Sequence, residues 1–468
     1  MRHRPALLLV VAALTAARAG AAPPARESTP ALFKAHREKL LERLPAGTIA
    51  VFRTTGEKDI DALTDPFRPD SDFWYLTGFH EADAVAVFRP KAADGKRYIL
   101  FVEPKDFAKE QWTGYRAGVE GAVRDYGADE AFPLADLWTK LPGLAAGATS
   151  LQYSDGRDAK FREQLLAAWG QADKNAVAAR GAADAGPTVH QLRLVKDSTE
   201  IAILRRAAGL SAEAHRLAMA HTRPGVNEAA IKGLMVSHCI ANGSARMAYP
   251  PIVGSGRNSV ILHYDAADQP MDAGGMVVND TACEYEMYAA DVTRSYPVSG
   301  RFSADQRAIY DIVLASQKAA METIKPGVPF RDVHAASVEV VVDGLMKLGI
   351  LTGARDEIVK TRSYRKYYPH GSSHWLGLDV HDAGSYGYPE GMDPKERYGQ
   401  AMAKLEPGMV LTVEPGIYIA EGATTDKRWW NIGVRIEDDV LVTPTGYECL
   451  SCGAPREVAD VEKAMAGR

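Results

Sequence analysis

The sequence predicts an α/β domain followed by an α+β domain with internal pseudo-twofold symmetry. Three observations carry this. The chain has 468 residues, more than one ordinary domain holds. Its first part alternates helix-like and strand-like segments up to a looser Ala/Gly stretch at 176–187. Its second part repeats a short pattern twice in the same order. The expected boundaries are 29–186 and 194–463, after a leader at 1–22.

The leader opens with Arg2, His3 and Arg4, runs through an apolar stretch from Ala6 to Ala17, and reaches the small residues Ala19-Gly20-Ala21. That is the layout of a secretory signal peptide, with an apolar core too short to span a bilayer. Export to the periplasm or the medium is expected, with no membrane association after cleavage.

In the first domain, Ala31 to Leu44 has helical spacing, and Thr48–Phe52, Ala84–Phe88 and Tyr98–Val102 read as apolar strands. It carries no evident catalytic cluster. The second domain opens at Asp197, which caps a helix with Glu200 three residues later. A second such start, Ser303 with Gln306, leads a helix that ends near Lys325-Pro326-Gly327. Arg223-Pro-Gly-Val226 and Lys325-Pro-Gly-Val328 each separate two helices. Gly275-Met-Val277 and Gly408-Met-Val410 each open a strand leading to a carboxylate, Asp280 or Glu414. Asp291 and Glu437 each lead a later strand. Two such halves imply a site between them.

Composition excludes some functions. The net charge is −5 and no Lys/Arg run builds a basic stripe, so no nucleic-acid partner is expected. Four cysteines are too few for a disulfide scaffold. Cys449-x-x-Cys452 lacks the second pair of a zinc ribbon; a local disulfide needs an oxidising compartment, and the plain structural reading is preferred.

The chemistry lies in carboxylates and histidines. With Tyr285-Glu286 as a hairpin turn, Asp280 faces Asp291, their Cβ atoms about 5 Å apart. Two like charges so placed need a cation between them. Glu414 and Glu437 sit beside apolar strands, where a carboxylate is costly unless paired or metal-bound. His374 and His370 fall in a Gly/Ser-rich segment that reads as a loop, not a helix. Four carboxylates and an imidazole make a hard site suited to Mn²⁺, Co²⁺ or Fe²⁺, and their charge calls for two divalent ions. His263 and His381 are further candidates for the site.

These residues resemble the pita-bread metallopeptidases, in particular the Xaa-Pro aminopeptidase and prolidase group. The likeness is strongest in Asp280–Pro297, His370–Asp382, Leu405–Tyr418 and Gly433–Asp439, with Ser71–Phe79 matching in the first domain. The resemblance implies that Asp280, Asp291, His374, Glu414 and Glu437 ligate two metal ions, most often Mn²⁺. It implies that His263, His370 and His381 line the substrate site, with Tyr418 and Arg435 supporting it. It further implies short proline-containing peptides as substrates and a homo-oligomer, dimer or tetramer. The expected reaction is attack on the scissile carbonyl by water activated between the ions, with Glu414 moving its proton. One segment departs from the family, which usually has Gly two residues after the first ligand where this chain has Ala282. Prolidase, which takes dipeptides, is the alternative; a non-catalytic binding module of the same fold is a further one, disfavoured by the intact ligand set.

Overall fold

The computed structural model describes residues 26–56, 67–171, 181–388, 391–392, 400–424 and 426–467. The expected leader, and residues 176–180 of the expected boundary region, lie outside the described residues.

Helix Pro30–Arg43 begins with proline, whose missing N–H costs nothing at a helix start. Six strands follow: β1 (Thr48–Arg53), β2 (Val85–Phe88), β3 (Tyr98–Val102), β4 (Glu130–Pro133), β5 (Ser150–Ser154) and β6 (Gly181–Asp184). They form one mixed sheet in the order β4-β3-β2-β1-β5-β6. The central strands are buried on both faces, which explains their continuous apolar runs. Alternate residues serve different cores. Ile49, Val51, Val85 and Val87 pack under the helices Leu137–Leu144 and Ala159–Gln171. Ala50, Phe52, Ala86 and Phe88 face Phe73 and Trp74, in a core that continues through Leu204, Ala207 and Tyr288 of the second domain.

The second domain is two helix pairs over short sheets. Helices Ser198–His221 and Glu228–Ala241 form one pair, and Ala304–Glu322 and Phe330–Lys347 the other. Both expected capping boxes are present, at Asp197/Glu200 and Ser303/Gln306. The second of these helices stops at Glu322, a few residues earlier than expected. The first half supplies β7 (Ile252–Ser255), β8 (Met276–Asp280), β9 (Glu284–Tyr285), β10 (Tyr288–Ala289) and β11 (Thr293–Pro297). The second supplies β12 (Val410–Val413), β13 (Gly416–Ile419), β14 (Ile432–Arg435), β15 (Asp438–Thr443) and β16 (Gly446–Cys449). The orders are β11-β8-β7 and β12-β15-β16, and a bridge between Thr293 and Glu437 joins the halves.

The hairpin register differs from the sequence expectation. The turn residues are Glu286 and Met287, both with positive φ (45° and 71°). Glu284 therefore pairs with Ala289, and Asp280 with Thr293 rather than Asp291. The shift is two residues. Because strand side chains alternate with period two, such a shift moves Asp291 along the hairpin without changing its face.

All four cysteines are in disulfides, Cys239–Cys283 and Cys449–Cys452. The second corrects the plain reading preferred for that pair, and the first was not foreseen: 44 residues separate its cysteines, and the packing of helix Glu228–Ala241 near the hairpin brings them together.

Charged groups lock the domains together. Arg193 is buried; it donates to Asp72 Oδ1 (2.7 Å), Asp379 Oδ2 (2.6 Å) and Asp382 Oδ1 (2.5 Å). Arg68 reaches from the first domain to Glu284 Oε2 (2.8 Å) and the Leu378 carbonyl (2.5 Å). Arg193→Met leaves Asp72 and Asp382 buried beside a neutral side chain. It should lower the unfolding free energy by about 3–5 kcal/mol, read from urea denaturation; a loss below about 1 kcal/mol would mean the network behaves as a surface ion pair.

Candidate metal centre and active site

Each carboxylate is presented by a strand end. Asp280 closes β8, where its Oδ1 accepts from Tyr249 Oη (2.6 Å) and its Oδ2 from Arg435 Nη2 (2.7 Å). Asp291 precedes β11, and its backbone N–H donates to the Asp439 carboxylate (3.1 Å). Glu414 follows β12, its N–H held by the Ser372 carbonyl (2.8 Å). Glu437 lies between β14 and β15; its N–H donates to the Thr293 carbonyl (3.0 Å), and its Oε2 accepts from Thr293 Oγ1 (2.6 Å). His374 sits in the expected loop, whose end is pinned by a bridge between Trp375 and Leu411.

The His374 ring tests whether this cluster suits a cation. Its Nδ1 lies 3.0 Å from the Trp375 carbonyl and must carry the proton that bonds there. The Nε2 lone pair then faces Asp291 Oδ2 at 3.3 Å and Glu414 Oε1 at 3.5 Å. A lone pair facing two carboxylates is repulsive unless a proton or a metal ion lies between them. Donor atoms of Asp291, His374 and Glu437 all lie within 4.8 Å of one another. Burial, then mutual repulsion, pushes the carboxyls of Asp291, Glu414 and Glu437 up, Glu414 to about 7. His374 is pushed the other way for a base: burial opposes its charge, but Asp291 and Glu414 outweigh that and raise it to about 9. The residues fit a divalent cation, whose charge relieves every one of these shifts.

Two cavities meet here. The larger, about 1180 Å³, runs between the domains, with Arg68, Asp72 and Arg157 on one wall and Tyr249, His263 and His381 on the other. The smaller, about 560 Å³, is lined by Leu262, Phe330, Tyr386, Tyr388, His370 and the donor cluster. His263, His381, Asp280 and Asp291 belong to both.

The structure brings every expected site residue together. His370 Nδ1 donates to the Gly371 carbonyl (2.7 Å), so its Nε2 accepts from Tyr418 Oη (2.9 Å). Tyr418 in turn accepts from Arg435 Nη1 (2.7 Å), which completes a chain from His370 to Asp280. Burial pushes His370 down to about 3, with Arg435 adding to it, and His381 down to about 4. Both imidazoles are neutral. The segment that lacks the family glycine keeps its ligand in place. Thr281 Oγ1 turns away to donate to Asn279 Oδ1 (2.9 Å), and Ala282 packs in the core.

Other contributors were not legible in the sequence. Tyr249 stands beside Asp280 from a loop that carries no pattern, and Thr293 and Asp439 each hold a neighbouring ligand. The first domain, which carries no evident catalytic cluster in the sequence, forms a wall of the larger cavity.

Residues 202–444 match the model of metallopeptidase family M24, and residues 33–153 that of the aminopeptidase P N-terminal domain. The chain belongs to metallopeptidase family M24. It is 38% identical over 438 residues to the Xaa-Pro aminopeptidase of Escherichia coli strain K12, covering 92% of this chain and 97% of that one. Against the Xaa-Pro aminopeptidase of Haemophilus influenzae the identity is 37%, with 92% and 96% covered. The solved Zn-substituted aminopeptidase P of E. coli in complex with product superposes with a TM-score of 0.88 at 37% identity, over 95% of this chain and all (100%) of that one. This places the chain in the Xaa-Pro aminopeptidase group of the M24 family, and its second domain in the pita-bread fold.

A divalent ion that binds the folded M24 chain should stabilise it. At a hundredfold excess over its dissociation constant the gain is about 2.7 kcal/mol. Thermal unfolding with Mn²⁺ and with a chelator measures it. Asp291→Ala should lose the Mn²⁺-dependent rise in Tm; an undiminished rise would remove Asp291 from the metal centre.

Proposed function

We propose that this chain is an exported Xaa-Pro aminopeptidase working with two divalent ions, for which Mn²⁺ is the best fit. The convergence of five donors where two unequal cavities meet carries the reading. Asp280, Asp291, His374, Glu414 and Glu437 would hold the ions. An enzyme that removes one residue from a chain of any length needs a small pocket on one side of the scissile bond and an open cleft on the other. The two cavities have those proportions.

When bound, the ions would supply a Lewis acid and a water acidic enough to serve as nucleophile near neutral pH. The chain's own groups do the rest. The Glu414 carboxylate takes the proton of the attacking water and delivers it to the departing proline nitrogen. His381, neutral and lining both cavities, can turn an N–H toward the developing oxyanion. His370 has both nitrogens engaged and so orients Tyr418 instead. Arg435, beneath Tyr418, fixes Asp280. Proline has no N–H to satisfy and a fixed φ, so a site shaped to that bend prefers it.

Export is supported by the leader and by the pairing of all four cysteines, which persists in oxidising compartments. Assembly into a dimer or tetramer is supported by the helix Phe107–Thr113, which buries none of its side chains and, with its flank, exposes Phe107, Trp112 and Tyr115.

With Mn²⁺, the protein should release glycine from Gly-Pro-Ala and lose that activity on chelation. Cleavage of Gly-Pro alone would make it a prolidase. Asp291→Ala should abolish turnover with the circular dichroism spectrum unchanged; normal activity in that variant would sink the assignment.

A further inference from the structure

We propose that Cys449–Cys452 is a thiol–disulfide exchange site whose redox state sets how firmly the metal centre is held. The proposal rests on the reading of Asp291 and Glu437 as metal ligands.

The two disulfides differ in accessibility and in span. Cys239 and Cys283 are fully buried, with a separation of 44 residues. Cys449 and Cys452 are half-buried and only 3 apart. An incoming thiolate can therefore reach the second pair and not the first. A bridge closing so short a loop restrains the unfolded chain least, so opening it is a local event rather than the loss of a global staple.

The small ring holds a buried polar anchor. Between the cysteines, the Leu450 N–H donates to the Asp439 carbonyl (2.8 Å). Ser451 is fully buried; its Oγ donates to Asp438 Oδ1 (2.6 Å) and accepts from the Asp439 N–H (2.9 Å). Just beyond the ring, the Ala454 carbonyl accepts from Arg294 Nη2 (3.1 Å). Arg294 is itself fully buried, bonding Asp438 Oδ1 through Nη2 (2.6 Å) and the Glu437 carbonyl through Nη1 (2.6 Å). The Asp439 carboxylate accepts from the Asp291 N–H (3.1 Å). From the disulfide loop, Ser451 thus reaches the Asp291 N–H through Asp439 in two hydrogen bonds and the Glu437 carbonyl through Asp438 and Arg294 in three, one ligand from each half of the domain. Asp438 and the two cysteines also lie close enough to suggest a metal trio. They do not form one: the sulfurs are bonded to each other, and Asp438 is taken up by Arg294, Arg456 and Ser451.

The exchange is with a dithiol. Its thiolate attacks one sulfur of the pair; the Cys449–Cys452 bond breaks as a mixed disulfide forms, and the released thiolate takes up a proton. The second thiolate of the reductant then attacks the mixed disulfide and frees the other cysteine. Two electrons pass to the protein and the dithiol leaves as a disulfide. Opening the ring releases Ser451 from Asp438 and Asp439, and with it the clamp on Glu437 and Asp291.

The test compares the mature chain before and after dithiothreitol treatment, with the reagent removed anaerobically. Free thiols are counted, Mn²⁺ affinity is titrated, and kcat and KM are measured on Gly-Pro-Ala. Reduction should expose two thiols and weaken Mn²⁺ binding about 10- to 100-fold, the usual effect of losing a group that orients metal ligands. It should lower kcat more than it changes KM, and reoxidation should restore both. The double variant Cys449→Ser/Cys452→Ser should show the reduced-state affinity whether or not it is treated. Ser451→Ala should reproduce the loss with the disulfide intact, and Ser451→Thr should recover much of it. Equal Mn²⁺ affinity in the two redox states of the wild type would overturn the proposal, as would a double variant that still responds to reductant. Failure of the oxidised protein to bind Mn²⁺ at all would overturn the metal-centre reading as well.

Discussion

The structure depends on one constraint: Asp280, Asp291, Glu414 and Glu437 are held together on the wall of a cavity with too little positive charge among them. For Asp291, Glu414 and Glu437, burial favours the neutral acid, and mutual repulsion pushes in the same direction. Left to side-chain freedom, such groups would turn apart toward solvent. They do not because each is fixed from behind by the backbone. Thr293 and Glu437 bond to each other across the two halves, Asp439 grips the Asp291 N–H, and Ser372 grips the Glu414 N–H. The short sheets and the helices packed on them supply the rigidity that this arrangement requires.

The pseudo-twofold architecture follows from the same constraint. One half contributes Asp280 and Asp291, the other Glu414 and Glu437 with His374 from the preceding loop. Neither half alone brings the four carboxylates together. The bridge between Thr293 and Glu437 is therefore both a seam between halves and a step in building the site. The first domain completes the enclosure. Arg193 and Arg68 tie it to the segment carrying His381, so the wall of the cleft and a residue lining both cavities are positioned by one ionic network.

The parts legible in the sequence were those with a local signature. The capping boxes at Asp197 and Ser303, the strands ending at Asp280 and Glu414, and the Gly/Ser loop around His370 each announce themselves over a few residues. The hairpin register did not. A turn at Glu286-Met287 places two ordinary side chains at positive φ, and propensity alone points elsewhere. The error was harmless to the site only because it was an even number of residues. Tyr249 was invisible for a different reason: its role depends on a loop folding back over β8, which no periodicity records. The Cys239–Cys283 pair was hidden likewise, since its 44-residue separation is closed by tertiary packing.

The unequal cavities bear on why a metal centre of this kind acts at a chain end. Ligand geometry by itself sets no limit on which bond in a peptide is presented. The limit comes from what lies on either side. The smaller cavity is walled by Phe330, Tyr386 and Tyr388; Tyr386 stacks on Tyr388 and on the buried Trp375, and Phe330 meets Tyr386 and Trp375 edge-on. Such a wall presents mainly aromatic faces, so a side chain enters it at lower cost than an extended backbone whose polar groups need partners. The larger cavity carries charged side chains of both domains, and a peptide backbone can lie there with its hydrogen bonds met by side chains or water. The proposed selectivity for a first residue thus follows from the aromatic wall and the domain arrangement.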